Sequence, residues 1–152
     1  MVIRIRNQQR SKSLNLRKVR NDLAAAAARL GLGDAEVSLL FTGSAKMKSL
    51  NSKYRGIPKE TDVLSFPMDA AAGPMAARMR GLPVMLGDIV ISVPRAAAQA
   101  TQDGVALHEE LRRLLIHGLL HLAGYDHELG RVQKVRMEKK ERELLNAVTT
   151  VD

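Results

Sequence analysis

Cysteine and tryptophan are absent from this 152-residue chain, and aromatic side chains make up only 3% of it. Without cysteine there is no disulfide, no thiol nucleophile and no thiolate ligand, so a bound metal would have to be held by His, Asp or Glu. The same absence suits a reducing cytosol. Two Tyr and two Phe are too few to grip successive bases on aromatic platforms. No segment reaches the roughly 20 apolar residues that a membrane helix requires. The first residues, Met-Val-Ile-Arg-Ile-Arg, alternate apolar and basic side chains and contain no apolar signal-peptide run. A cytoplasmic protein with no membrane partner is expected.

What is present is ordinary for a globular protein: 45% hydrophobic and 26% charged residues. The length fits one domain, residues 1–152, with a core large enough to need no staples. Lys and Arg number 24 against 16 Asp and Glu, a net charge of +8. Such a field attracts polyanions such as nucleic acid, although surplus basic residues can also serve solubility alone.

Hydrophobic periodicity divides the chain into elements. Residues 2–6 alternate as a strand does. From Ser13 to Leu30, apolar residues recur every three or four positions before Gly31 and Gly33, the pattern of an amphipathic helix. Glu36–Thr42 reads as a strand, and Ser44 can cap a short helix running to about Lys53. Val63–Phe66, closed by Pro67, and Ile89–Ser92 read as further strands. Residues 69–84 show no clean period and read as an excursion. Ser92 and Pro94 open a helix, a long helix occupies 104–123, and a charged one 128–146. The last carries i,i+4 charge pairs such as Lys134–Glu138 and reads as a solvated helix. The order β-α-β-α-β-β-α-α-α predicts an α+β fold, a small mixed sheet covered by helices.

The chemistry concentrates in Ile116-His117-Gly118-Leu119-Leu120-His121-Leu122-Ala123-Gly124-Tyr125-Asp126-His127. Four residues apart on a helix, His117 and His121 share one face and can reach one ion. Gly124 can end the helix in a left-handed conformation, letting the chain turn and His127 return as a third ligand. Three imidazoles and an open fourth position describe a catalytic zinc site. Leu114 to Tyr125 carries no formal charge, so this half of the helix must be buried, and imidazoles among leucines need partners. Separately satisfied core histidines would explain one such residue, but not three at this spacing. His108 lies outside the pattern.

The spacing H-x-x-x-H-x-x-G-x-x-H resembles the zinc motif of metzincin peptidases, except that Gly118 stands where a peptidase carries its glutamate base. Room for substrate and close packing would each account for a helical glycine here.

A second dense region is Leu50-Asn51-Ser52-Lys53-Tyr54-Arg55-Gly56, followed by Thr61-Asp62-Val63-Leu64-Ser65-Phe66-Pro67. The segments LNSKYRG, TDVLSFP, GDIVIS and IHGLLHLAGYDH, in this order, strongly resemble the YbeY family of bacterial endoribonucleases over roughly residues 36–145. The resemblance implies a zinc-dependent, single-strand-specific endoribonuclease acting in ribosomal RNA (small-subunit 3′ end) maturation and ribosome quality control. Its partners would be ribosomal RNA and the ribosome or ribosomal proteins. It further implies one zinc ion on His117, His121 and His127, and a functional arginine at Arg55. Ile57-Pro58-Lys59-Glu60-Thr61 departs from the K-D-x-P-T usual in the family's loop.

In the expected mechanism zinc activates water or polarises a phosphate oxygen, and Arg55 stabilises charge developing on the transferring phosphoryl group. Asp126, beside His127, could orient an imidazole or act on water; Asp88 is a weaker candidate for the base. Water and the RNA 2′-hydroxyl both stay open as nucleophile. The rival functions are a metallopeptidase or amidase on the same metal core, and a non-catalytic ribosome-associated protein with a structural metal.

Overall fold

Alternation at the N-terminus becomes β1 (Val2–Asn7), with Ile3 buried and Arg4 and Arg6 exposed. The remaining strands are β2 (Glu36–Thr42), β3 (Val63–Pro67) and β4 (Met85–Ser92). Between and after them lie α1 (Leu16–Arg29), α2 (Ser44–Arg55), α3 (Val93–Asp103), α4 (Leu107–Leu122) and α5 (Arg131–Val151). This computed structural model describes residues 1–68, 79–81, 84–125 and 130–151. Among the described residues the element order is the one that periodicity predicts.

The four strands form one mixed sheet in the order β1-β2-β4-β3. β1, β2 and β4 run parallel, and β3 pairs antiparallel with β4 at the edge. Because strand side chains alternate, register assigns each row of residues to one face. The row Ile5, Leu39, Ile89 and Ser65 faces α4. The neighbouring row Arg4, Ser38, Asp88 and Phe66 faces the other way. There α2 seals part of the surface through a small cluster of Met47, Leu64 and Val90. The rest is an open groove lined by Arg4, Arg6, Ser38, Lys46, Tyr54 and Asp88, among others.

The main core lies on the α4 side, where Val19 and Leu23 of α1 and Met137 and Leu144 of α5 close over it. From Leu114 to Leu122, α4 buries every residue except the two histidines, as its uncharged composition predicts.

Three local readings change. Ser44 does not cap α2: Gly43 holds the cap position with no side-chain hydrogen bond, and Ser44 is already helical. α1 starts at Leu16 rather than at about Ser13, with Asn15 as its cap, accepting from the Lys18 amide at 3.1 Å. β4 is longer than the predicted strand Ile89–Ser92: it starts at Met85 and takes in Gly87 and Asp88. Gly87 has φ +131°, and a Cβ there would come within 2.1 Å of the Phe66 carbonyl oxygen. Only glycine permits that approach of β3 to β4. Residues 69–78 and 82–83, most of the expected excursion, lie outside the described residues.

Candidate metal centre

Helix α4 carries Glu109 and Glu110 in its first turn, where carboxylates favour the positive end of the helix dipole. It then turns apolar and enters the core. At its far end Gly124 takes φ +103°, and the Tyr125 amide donates to the Leu120 carbonyl at 3.0 Å, which stops the helix. His117 and His121 therefore sit in the last, buried turns.

Their rings meet edge to face, with centroids 4.8 Å apart. The two Nε2 atoms lie 3.2 Å apart. Two nitrogens bonded to one tetrahedral zinc at about 2.0–2.1 Å stand roughly 3.3 Å apart, so the pair is spaced for one ion. On the other side of the ring, His117 Nδ1 donates to Oε1 of Glu141 at 3.2 Å. That bond leaves the Nε2 lone pair of His117 directed at His121, the orientation ligation requires. The donor set is all nitrogen so far, which suits zinc.

Glu141 belongs to a larger charged cluster. Arg113, one turn before His117, binds Oε1 of Glu110 at 2.6 Å and lies 3.9 Å from Oδ2 of Asp62. The hydrogen bond that Arg113 donates to Glu110 raises its pKa above the usual value, and the charges of Glu110, Asp62 and Glu141 add to this against the opposing effect of burial.

The YRG segment lies at the end of α2, and the loop that follows it meets this cluster through Asp62. Arg55 is the last residue of α2, and Gly56 ends the helix at φ +69°. The following loop is fastened at each step. Buried Asn51 donates from Nδ2 to the Lys59 carbonyl at 2.8 Å. Ser92 Oγ donates to Glu60 at 2.6 Å, and the Val63 amide donates to Asp62 at 2.7 Å. Through Asp62 the loop touches Arg113. Arg55 itself is exposed, with no ion pair to the described residues. Asp88, the weaker candidate base, is removed from the site, since it opens into the groove on the opposite face of the sheet.

Gly118 resolves in favour of packing. A Cβ there would meet Ile89 Cγ2 at 3.0 Å and Ser65 Oγ at 3.2 Å. The missing side chain lets α4 press on the sheet; it does not open room for substrate. Gly118→Ala is therefore expected to lose stability despite alanine's better helix propensity. Overpacking costs about 1–3 kcal/mol, and the propensity gain returns about 1 kcal/mol, so a loss of up to roughly 2 kcal/mol should appear in urea denaturation. A gain of about 1 kcal/mol, the value for an exposed helical glycine, would contradict this packing.

Of the residues singled out in the sequence, the structure brings His117 and His121 together. His127 and Asp126 lie outside the described residues. Among the described residues no third His, Cys, Asp or Glu completes a metal-holding group. His108 stands apart, 2.8 Å from Asp22 at the start of α4. Glu141 was missed because α5 read as a solvated helix. A signal was available: Met137, Leu144 and Val148 are the buried residues of α5, and Glu141 falls at i+4 from Met137 on the same stripe. A carboxylate on an apolar stripe needs a partner, and here the partner is a histidine.

Residues 4–149 match the family profile described as Endoribonuclease YbeY. A protein of that name from Anaeromyxobacter sp. (strain Fw109-5) is 41% identical over 97% of this chain and 72% of its own length. Another from Aquifex aeolicus is 43% identical over 89% of this chain and 85% of its own. The solution structure of a Thermotoga maritima protein superposes with a TM-score of 0.67 at 28% identity, covering 97% of this chain and 89% of that one.

Proposed function

Because the chain belongs to the Endoribonuclease YbeY family, we propose that it is a zinc-dependent hydrolase that cuts single-stranded RNA internally. The observation that carries the metal part of this reading is the pair of Nε2 atoms 3.2 Å apart on a buried helix end. His117 and His121 would hold the ion, with His127 as third ligand beyond the turn at Gly124 and Asp126 beside it to orient that imidazole or act on water. A bound ion of this kind supplies Lewis-acid activation at the phosphodiester. The leucines of α4 on either side of the two imidazoles are buried and keep water from one side of the site.

Arg55 is the residue we assign to the phosphate. A guanidinium offers a planar pair of donors to two non-bridging oxygens. Support comes from its exposure, its lack of an ion pair with the described residues, and the anchoring of the loop it opens to Arg113. A peptidase reading is weakened by Gly118, because the position where that chemistry places its glutamate faces Ile89 and Ser65. The net charge of +8 suits a polyanionic substrate. Within this reading the substrate is ribosomal RNA at the small-subunit 3′ end. The protein works in the cytoplasm with the ribosome or its proteins, in maturation and quality control. Among the described residues no helix is long and apolar enough to cross a membrane.

The test is RNA cleavage by wild type and two variants, beside a peptide panel. Arg55→Ala should keep its fold by circular dichroism and its metal, yet cleave single-stranded RNA about a hundredfold or more slowly, the scale of one lost electrostatic stabiliser. Arg55→Lys should recover part of the rate, since an ammonium lacks the two-pronged contact. Wild-type rates from an intact Arg55→Ala protein would remove Arg55 from the mechanism. Cleavage of peptides with RNA untouched would overturn the function.

A further inference from the structure

We propose that Glu141 is the positioning residue of the metal centre: its carboxylate, delivered from α5, fixes the tautomer and rotation of His117 so that Nε2 faces the ion. The inference rests on the metal reading above and adds a residue from an element that carries none of the three histidines.

Three observations bear on it. Glu141 Oε1 lies 3.2 Å from His117 Nδ1, so it engages the nitrogen other than the one that faces His121. Glu141 sits on the inward stripe of α5 with Met137 and Leu144, where only 17% of its side chain is exposed. An unpartnered carboxylate there would be costly, which makes the pairing strongly determined. Arg113 contributes a positive charge that acts on Glu141, and the same guanidinium is held by Glu110. Such a carboxylate raises the basicity of an imidazole and limits its rotation, and losing one typically weakens metal binding about 10- to 100-fold.

A purely structural role is the competing explanation, in which the pair only clamps α5 to α4. The two differ in what they change. A clamp sets the stability of the metal-free protein and leaves zinc affinity alone. A positioning residue sets zinc affinity even where the metal-free protein is equally stable.

The experiment measures zinc dissociation constants by competition with a chromophoric chelator, together with urea denaturation of the metal-free proteins. Wild type, Glu141→Ala, Glu141→Gln and the control Glu138→Gln are compared; Glu138 is on the exposed side of the same helix. Glu141→Ala should bind zinc about 10- to 100-fold more weakly. Glu141→Gln, which keeps an acceptor for Nδ1–H but loses the charge, should fall between that and wild type, and Glu138→Gln should match wild type. Unchanged zinc affinity in both Glu141 variants, with or without lost stability, would overturn the proposal while leaving the metal reading intact. Wild type that binds no zinc would bring down the metal reading and this inference with it. The near-isosteric glutamine keeps the test open should the alanine variant fail to fold.

Discussion

His121→Ala protein is expected to emerge without its divalent ion and to cleave single-stranded RNA at least about a thousandfold more slowly than wild type. The size follows from what a bound ion supplies: several kcal/mol of transition-state stabilisation, at about 1.4 kcal/mol for each tenfold in rate. The fold should survive, because His121 lies at the last turn of α4 and is only partly buried, while the leucines beside it carry the packing. His117→Ala should lose the metal equally, and it should also strand Glu141 without its partner. A loss of stability is therefore expected in His117→Ala beyond that in His121→Ala. His127→Ala, the third proposed ligand, should lose the ion as well. Metal content per chain, measured beside RNA cleavage and thermal unfolding, checks all three. A His121→Ala protein that keeps one tightly bound ion and wild-type cleavage would dismantle the site.

Asp22→Ala should destabilise the protein by about 3–5 kcal/mol, the cost of removing one partner from a buried ion pair. Asp22 on α1 and Arg112 on α4 are 3% and 6% exposed, and Arg112 Nε donates to Asp22 Oδ2 at 3.1 Å. His108 Nε2 reaches the same oxygen at 2.8 Å. Arg112 also extends Nη1 to Thr149 on α5 at 3.4 Å, so the guanidinium ties three helices together. Without the carboxylate the buried guanidinium loses this charge-assisted hydrogen bond, and His108 loses the same acceptor. Replacing both partners with apolar residues, Asp22→Leu with Arg112→Met, should restore much of the loss, because no charge is then left behind. Urea denaturation at constant slope distinguishes these outcomes; a single variant within about 0.5 kcal/mol of wild type would show the pair to be energetically idle.

These two sites differ in how far they could be read in advance. The histidine pair was legible because i,i+4 spacing on a helix is a local geometric fact, and because an uncharged run from Leu114 to Tyr125 announces burial. The order of strands and helices was legible for the same reason, since periodicity is written within each element. The Asp22–Arg112 pair was not, as its members stand 90 residues apart. Nor was the partner of Glu141, whose i,i+4 charged neighbours suggested a solvated helix.

By itself, then, the sequence determined the element order, the buried half of α4, and the common face of His117 and His121. Each is a consequence of backbone geometry over a few residues. The tertiary structure alone decided that Gly118 packs on Ile89 and Ser65, that Asp88 faces the groove away from α4, and that Glu141 meets His117. Periodicity specifies which side of an element is buried. What lies opposite that side depends on strand register and helix packing, which bring together residues such as Ser65 and Gly118, 53 positions apart.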